Sequence, residues 1–174
     1  AEWPTRRLTP MSHESLTIVL PAYNEERRLG AALDELFAWL HGPGRTALPY
    51  AVSVMVVDDG SSDGTADLVR ARPEVATGEL ALLPVPHGGK GAAVRAGMMH
   101  APGDLIVFAD ADMATPPSQL VPLTQALETA DAAYGSRIQP DGSDMRASQP
   151  AWRRALGKAF HVLASIWVVG PVQD

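Results

Sequence analysis

Four short strings in this 174-residue chain hold side chains able to do chemistry. They are Pro21-Ala22-Tyr23-Asn24-Glu25, Asp58-Asp59-Gly60-Ser61, Gly88-Gly89-Lys90-Gly91 and Asp110-Ala111-Asp112. Asp110 and Asp112 stand two apart, and in an extended segment alternate side chains point the same way, so both carboxylates can reach one cation. Two hard oxygen ligands with open positions suit Mg2+ or Mn2+ shared with substrate phosphates. Such an ion offsets charge growing on a departing diphosphate. The plainer alternative is two solvated acids in a turn.

Asp58 and Asp59 close an apolar run, where paired like charges are costly unless they have a task. A carboxylate there can accept an N–H from a nucleobase, with Tyr23 packed on the base's face. Turn formation and helix capping are the alternative. Lys90, flanked by glycines at a helix start, can meet an anion through its ammonium and nearby backbone N–H groups. Gly91 follows it where a Walker loop needs Ser or Thr, and the glycine spacing is not that of a dinucleotide fingerprint. An exposed lysine in a surface turn is the alternative. Arg137 can grip a phosphate bidentately. Arg146, Arg153, Arg154 and Lys158 form a basic cluster beside Phe160, Leu163, Ile166 and Trp167. That pattern fits a membrane-surface helix, or a helix packing its apolar face on a sheet, and the second is favoured.

Two look-alikes compete. Gly60-Ser61-Ser62-Asp63-Gly64 fits Gly-x-Ser-x-Gly between a strand and a helix, so a serine hydrolase would use Ser62 with Asp112 and His161. That reading leaves the other strings unexplained. Asp59-x-Ser61-x-Asp63-Gly64 mimics the start of a calcium loop, but Arg70 stands where the bidentate glutamate belongs. The five histidines show no metal-ligand spacing.

The intervening residues predict the elements that hold these strings. Apolar runs at 16–20, 51–57, 80–85, 105–109 and 132–135 read as strands. Asn24 is expected to cap a helix carrying Leu29, Leu33, Leu36, Phe37 and Leu40, stopped by His41-Gly42-Pro43-Gly44. Asp63 is expected to cap a helix over 65–72. Further helices are expected over 92–100, from Pro116-Pro117, and from Trp152. Strands alternating with helices imply a mainly parallel sheet covered on both faces, with ligands at the carboxyl ends of its strands. All four strings fall there. Residues 139–148 are expected to form a mobile lid.

Composition sets bounds on this reading. Apolar content of 46% and charge of 20% are ordinary globular values. A formal charge of −6 argues against non-specific nucleic-acid binding. The absence of cysteine removes disulfides, thiolate–zinc sites and cysteine nucleophiles, which is compatible with a cytosolic protein. Residues 1–15 carry no apolar stretch after Arg6 and Arg7 and are expected to be a flexible leader. No run of about 20 apolar residues occurs; the nearest approach, 155–170, is broken by Lys158 and His161.

Taken in order, the strings resemble the family 2 glycosyltransferases, in particular the dolichyl- and polyprenyl-phosphate sugar transferases of the β-glucosyltransferase type. The resemblance covers roughly residues 16–174. It rests on Pro21 to Glu25, Val56 to Thr65, Lys90 to Gly97, Asp110 to Pro117 and Gly135 to Arg137, with Arg154 to Phe160 and the ending Val172-Gln173-Asp174 in support. It implies the GT-A fold and an inverting transfer of a sugar, expected to be glucose from UDP-glucose, to a polyprenyl or dolichyl phosphate. A soluble or glycan acceptor is the runner-up within the fold.

The resemblance assigns Pro21, Tyr23, Glu25 and Asp59, with Asp58 beside them, to the nucleoside pocket. Asp110 and Asp112 become the pair that bridges Mg2+ or Mn2+ to the diphosphate, and Lys90 sits near the donor. Arg137 and an arginine of the Arg153-Arg154 pair hold phosphate, and Asp174 matches an acidic position of the family. Some relatives place a glutamine, a further metal ligand, where this chain has Ala114. The lipid acceptor implies association with the cytoplasmic face of a membrane, and a homo-oligomer is compatible. Such transferases continue past the position of Asp174, so a single domain over 16–174 is expected to be incomplete at its C-terminus. Donor binding without turnover is then the binding-only alternative.

Overall fold

The computed structural model describes residues 14–135. The chain divides into two units, Ala1–Glu128 and Thr129–Asp174. The first contains four parallel strands, β1 (Ser15–Ala22), β2 (Ala51–Asp58), β3 (Leu80–Pro84) and β4 (Leu105–Phe108). They lie in the order β3-β2-β1-β4, with Val19 opposite both Met55 and Phe108. β1 and β2 are nearly continuous apolar runs because parallel strands bury side chains on both faces. Leu16, Ile18, Leu20 and Ala22 of β1 belong to one core cluster, while Val19 joins the other with Met55, Val57 and Ala93.

Helix α1 (Leu29–His41) covers the first face. Its buried residues Leu29, Ala32, Leu33, Leu36 and Phe37 follow the helical repeat and make one apolar stripe. A 3-10 turn (Pro117–Gln119) and a later helix complete that layer, with Leu120 in the same core. Three short helices lie between: α2 (Pro43–Ala47), α3 (Thr65–Arg70) and α4 (Pro73–Thr77). α2 and α4 were not expected from the sequence, since each spans only five residues; proline in the first turn suits the start of both. Helix α5 (Lys90–His100) covers the opposite face through Ala93 and Gly97, and α6 (Leu120–Ala126) follows β4.

Two expectations fail locally. Asn24 does not cap α1: Arg28 stands at that position, and Asn24 adopts φ 54° in the loop before it. Its side chain instead bonds the turn after β2. Residues 132–135 form no strand; within the second unit, residues 129–135 are irregular, with Tyr134 exposed. Ala-Ala-Tyr-Gly lacks the β-branched residues that favour a pleated surface, and no strand pairs with it among the described residues. The leader up to residue 13, the loop 139–148 and the helix expected from Trp152 lie outside the described residues.

From β1 the chain steps outward to β2 and β3, then returns through α5 to β4 on the other side of β1. The carboxyl ends of β1 and β4 therefore flank the point where the winding reverses, which is where open parallel sheets form a ligand crevice.

Candidate functional site

A cleft of about 360 Å³ opens at that crevice. Pro21, Tyr23, Glu25, Asp59, Lys90, Asp110 and Asp112 all line it, so most of the residues selected from sequence converge there. Asp58 does not: it is buried as the last residue of β2, where its Oδ1 accepts the Ser61 N–H of the following turn at 3.1 Å.

One end of the cleft is aromatic and fixed. Asp59 is only 2% exposed. Its two carboxylate oxygens accept the Gly88 N–H at 2.8 Å and the Gly89 N–H at 2.9 Å. His87 Nδ1 lies 3.0 Å from Asp59 Oδ2, and its ring stacks on Tyr23 with centroids 4.3 Å apart. The glycine-loop amides, expected to meet an external anion, are thus turned to an internal one. Gly60 makes this possible: its φ is 69°, and a Cβ there would come within 2.9 Å of the His87 backbone nitrogen.

The loop carrying Tyr23 is clamped to the turn after β2. Asn24 N–H donates to Ser61 Oγ and Asn24 Oδ1 accepts the Ser62 N–H, each at 2.9 Å. Glu25 N–H donates to Thr65 Oγ1, whose hydroxyl donates to Asp63. That hydroxyl is the main cause holding the Asp63 carboxyl below its usual range. Glu26 N–H donates to Asp63, and the Glu26 carboxylate accepts the Gly64 N–H. Asp63 also accepts the Thr65 N–H at the start of α3, but from one residue before the cap: Gly64 holds the N-cap position expected of Asp63, and no side chain caps the helix. The residues that imitate a calcium loop are therefore committed to backbone donors. Ser62 Oγ faces Asn24 Oδ1 at 3.4 Å, and no histidine bonds to it among the described residues. His161, the base that a hydrolase would need, lies outside them.

The other end of the cleft is acidic and open. Asp110 and Asp112 do not sit in an extended segment; residues 111 and 112 form a turn closed by Met113 N–H donating to Asp110 O. Met113 takes φ 49° and buries its side chain, which fixes the turn, while Asp112 Oδ1 accepts the Ala114 N–H at 3.1 Å. Asp110 is paired with the Lys90 ammonium. The two carboxylates offer oxygen donors of the kind a hard cation takes, and a cationic group already lies on one of them. Among the described residues no group of three or more His, Asp or Glu is arranged to hold a metal. A cation at Asp110 and Asp112 needs its remaining oxygens from a ligand and water, as Mg2+-like ions accept.

Arg137, Arg153, Arg154 and Asp174 lie outside the described residues. His87 was missed from the sequence because the histidines were weighed only as metal ligands and, for His161, as a hydrolase base. Its place next to Gly88-Gly89-Lys90 was the available signal.

The match to known proteins agrees with this geometry. The profile described as Glycosyl transferase family 2 matches residues 17–164, and the chain belongs to this family. It is 34% identical over 165 residues to a dolichyl-phosphate beta-glucosyltransferase of Trichomonas vaginalis, covering 91% of this chain and 48% of that protein. It is also 34% identical over 168 residues to a dolichyl-phosphate beta-glucosyltransferase of Drosophila melanogaster, covering 91% and 51%. The chain spans about half the length of these curated relatives. Among solved structures it resembles a mannosyltransferase from Pyrobaculum calidifontis in complex with GDP-Man and Mn2+. There the TM-score is 0.53 at 27% identity, covering 68% of this chain and 33% of the other. A glucosyl-3-phosphoglycerate synthase from Mycobacterium tuberculosis shares the fold, with TM-score 0.51 at 24% identity over 75% of this chain and 47% of the other. The fold is the expected GT-A fold.

Proposed function

We propose that this chain is the donor-binding part of an inverting transferase that moves glucose from UDP-glucose to a polyprenyl phosphate such as dolichyl phosphate. The observation that carries the reading is the cleft at the β1–β4 crevice, whose lining brings Tyr23, His87 and Asp59 together with Asp110 and Asp112. Its aromatic–carboxylate end suits a nucleoside and its acidic end a metal-bridged diphosphate. The names of the relatives in Trichomonas vaginalis and Drosophila melanogaster support glucose, a β product and dolichyl phosphate.

In this reading Tyr23 and Pro21 take the base's face, and Asp59 holds the β3–α5 loop against it. Glu25, gripped by Arg28 at 2.8 Å, borders the ribose side. Asp110 and Asp112 hold Mg2+ or Mn2+, which when bound offsets the charge growing on the departing diphosphate. Lys90 sits near the donor phosphates, while Arg137 and Arg153 or Arg154 take phosphate as well. The acceptor is a phosphate monoester, largely ionised at neutral pH. Its oxygen attacks the anomeric carbon as the bond to the nucleoside diphosphate breaks, and no dedicated base is required. A lipid acceptor places the reaction at a membrane surface, on its cytoplasmic side. Among the described residues no helix is long and apolar enough to cross a membrane.

The test is calorimetric titration of UDP-glucose and GDP-mannose, each with and without Mn2+, on wild type and Asp112→Ala. Metal-dependent binding of UDP-glucose, lost in the variant, supports the site. Preference for GDP-mannose corrects the donor. Binding of neither donor by folded protein overturns the reading. Because the chain spans half of its relatives, donor binding without glucose transfer favours the binding-only alternative.

A further inference from the structure

Lys90 is the first residue of α5, and its ammonium lies on Asp110, one of the two acids at the open end of the cleft. The side chains are 63% and 51% exposed, so water competes for both partners and the pair is easily exchanged. Lys90 and Asp110 also line the same cleft as Asp112. The ammonium lies on Asp110 Oδ1. A divalent cation arriving at Asp110 displaces it from that oxygen or settles on the other one beside it, and either way two positive charges repel across a short distance. A diphosphate in the cleft removes the conflict, since it gives the ammonium a new anion and the cation further oxygens.

We infer that Lys90 is an internal counter-ion that couples the two arrivals, so that cation and diphosphate bind weakly alone and strongly together. This rests on the reading of Asp110 and Asp112 as the metal pair. Lys90 thereby acts as a specificity residue: a nucleoside without phosphates leaves the ammonium on Asp110 and recruits no cation. By linkage, the factor by which diphosphate strengthens cation binding equals the factor by which cation strengthens diphosphate binding.

The experiment follows free Mn2+ by electron paramagnetic resonance during titration of the 174-residue chain, with and without UDP. In Lys90→Met, Mn2+ binding without UDP tightens by about fivefold, the upper end of what an exposed ion pair holds. The strengthening by UDP shrinks by at least that factor. Lys90→Arg retains the wild-type coupling. Arg95→Met, which removes an exposed charge elsewhere on α5, changes neither quantity. Lys90→Met binding Mn2+ no more tightly than wild type, or keeping full coupling to UDP, overturns the inference while leaving the metal pair standing. Unchanged Mn2+ binding in Asp112→Ala overturns both.

Discussion

Two glycines on α5 should respond to the same substitution with opposite signs. A Cβ on Gly97 would lie 2.3 Å from Val19 Cγ1 and 2.8 Å from Val57 Cγ2. Both valines are fully buried in the central strands, and their methyl groups have no room to retreat. Gly97→Ala gains about 1 kcal/mol of helix propensity. It must also push α5 off the sheet or force the valines from their rotamers; with two methyl groups met below 3.0 Å the overpacking cost falls in the upper part of its range, about 2–3 kcal/mol. The net expectation is a loss of about 1–2 kcal/mol and a fall in Tm of roughly 3–6 °C for a chain of this size. Gly91, one turn and a half earlier, has nothing within 4 Å of its virtual Cβ. Gly91→Ala therefore keeps only the propensity gain and raises stability by about 0.5–1 kcal/mol. Urea and thermal unfolding followed by circular dichroism measure both variants. Gly97→Ala as stable as wild type would refute the close seating of α5. Gly91→Ala losing stability would refute the claim that the helix start is open. Because Lys90 begins the same helix, displacement in Gly97→Ala should also weaken binding of a diphosphate.

Asn24→Ala removes the side-chain acceptor of the Ser62 N–H and should cost about 1 kcal/mol of stability. Its larger effect should be weaker nucleotide binding, because the loop presenting Tyr23 loses its clamp; calorimetry showing unchanged affinity would count against that role. Acid stability should depend on Glu74, which is 9% exposed and takes two hydrogen bonds from Arg72 at 2.9 and 2.8 Å. The Arg72 guanidinium holds the Glu74 carboxyl below its ordinary value, against the opposing effect of burial. A carboxyl depressed in the folded state stabilises fully above its unfolded pKa and loses that contribution as pH falls through the folded one. Glu74→Gln should therefore cost about 1–3 kcal/mol at neutral pH and flatten the acid limb of stability against pH. An acid limb as steep as that of wild type would contradict this assignment.

The strands were legible because parallel pairing demands unbroken apolar runs, and Leu16 to Leu20 and Val54 to Val57 supply them. The helix α1 was legible because Leu29, Leu33 and Leu36 recur at helical spacing. Asn24 was misassigned because capping and loop bridging use the same side-chain oxygen, and sequence spacing does not say which backbone N–H comes near it. Residues 132–135 looked like a strand from position in the alternation alone, without the β-branched residues that pairing favours. Asp110 and Asp112 were found from a spacing argument whose premise was wrong. A turn held by Met113, rather than an extended segment, brings them to the cleft.

The two ends of the cleft differ in how much of their structure precedes the ligand. At the aromatic end Asp59 is buried and both its oxygens are bonded to backbone donors, while Tyr23 rests on His87 and its loop is clamped to the turn after β2. Asp59 and the glycine loop are ordered in folding, whereas Tyr23 and His87 are about half exposed and rest on each other, so under the proposed function a base would meet a preformed backbone beneath a stacked pair of rings. At the acidic end Asp110 and Lys90 are more than half exposed and hold each other. Under the proposed function, Lys90 and Asp110 would exchange partners when a cation and a diphosphate enter. Under the proposed function, discrimination of the base would belong to the end built on Asp59 and follow its shape. Discrimination of a diphosphate from a nucleoside belongs to the soft end, where only a ligand bearing both charge and oxygens can satisfy the lysine and the acids together.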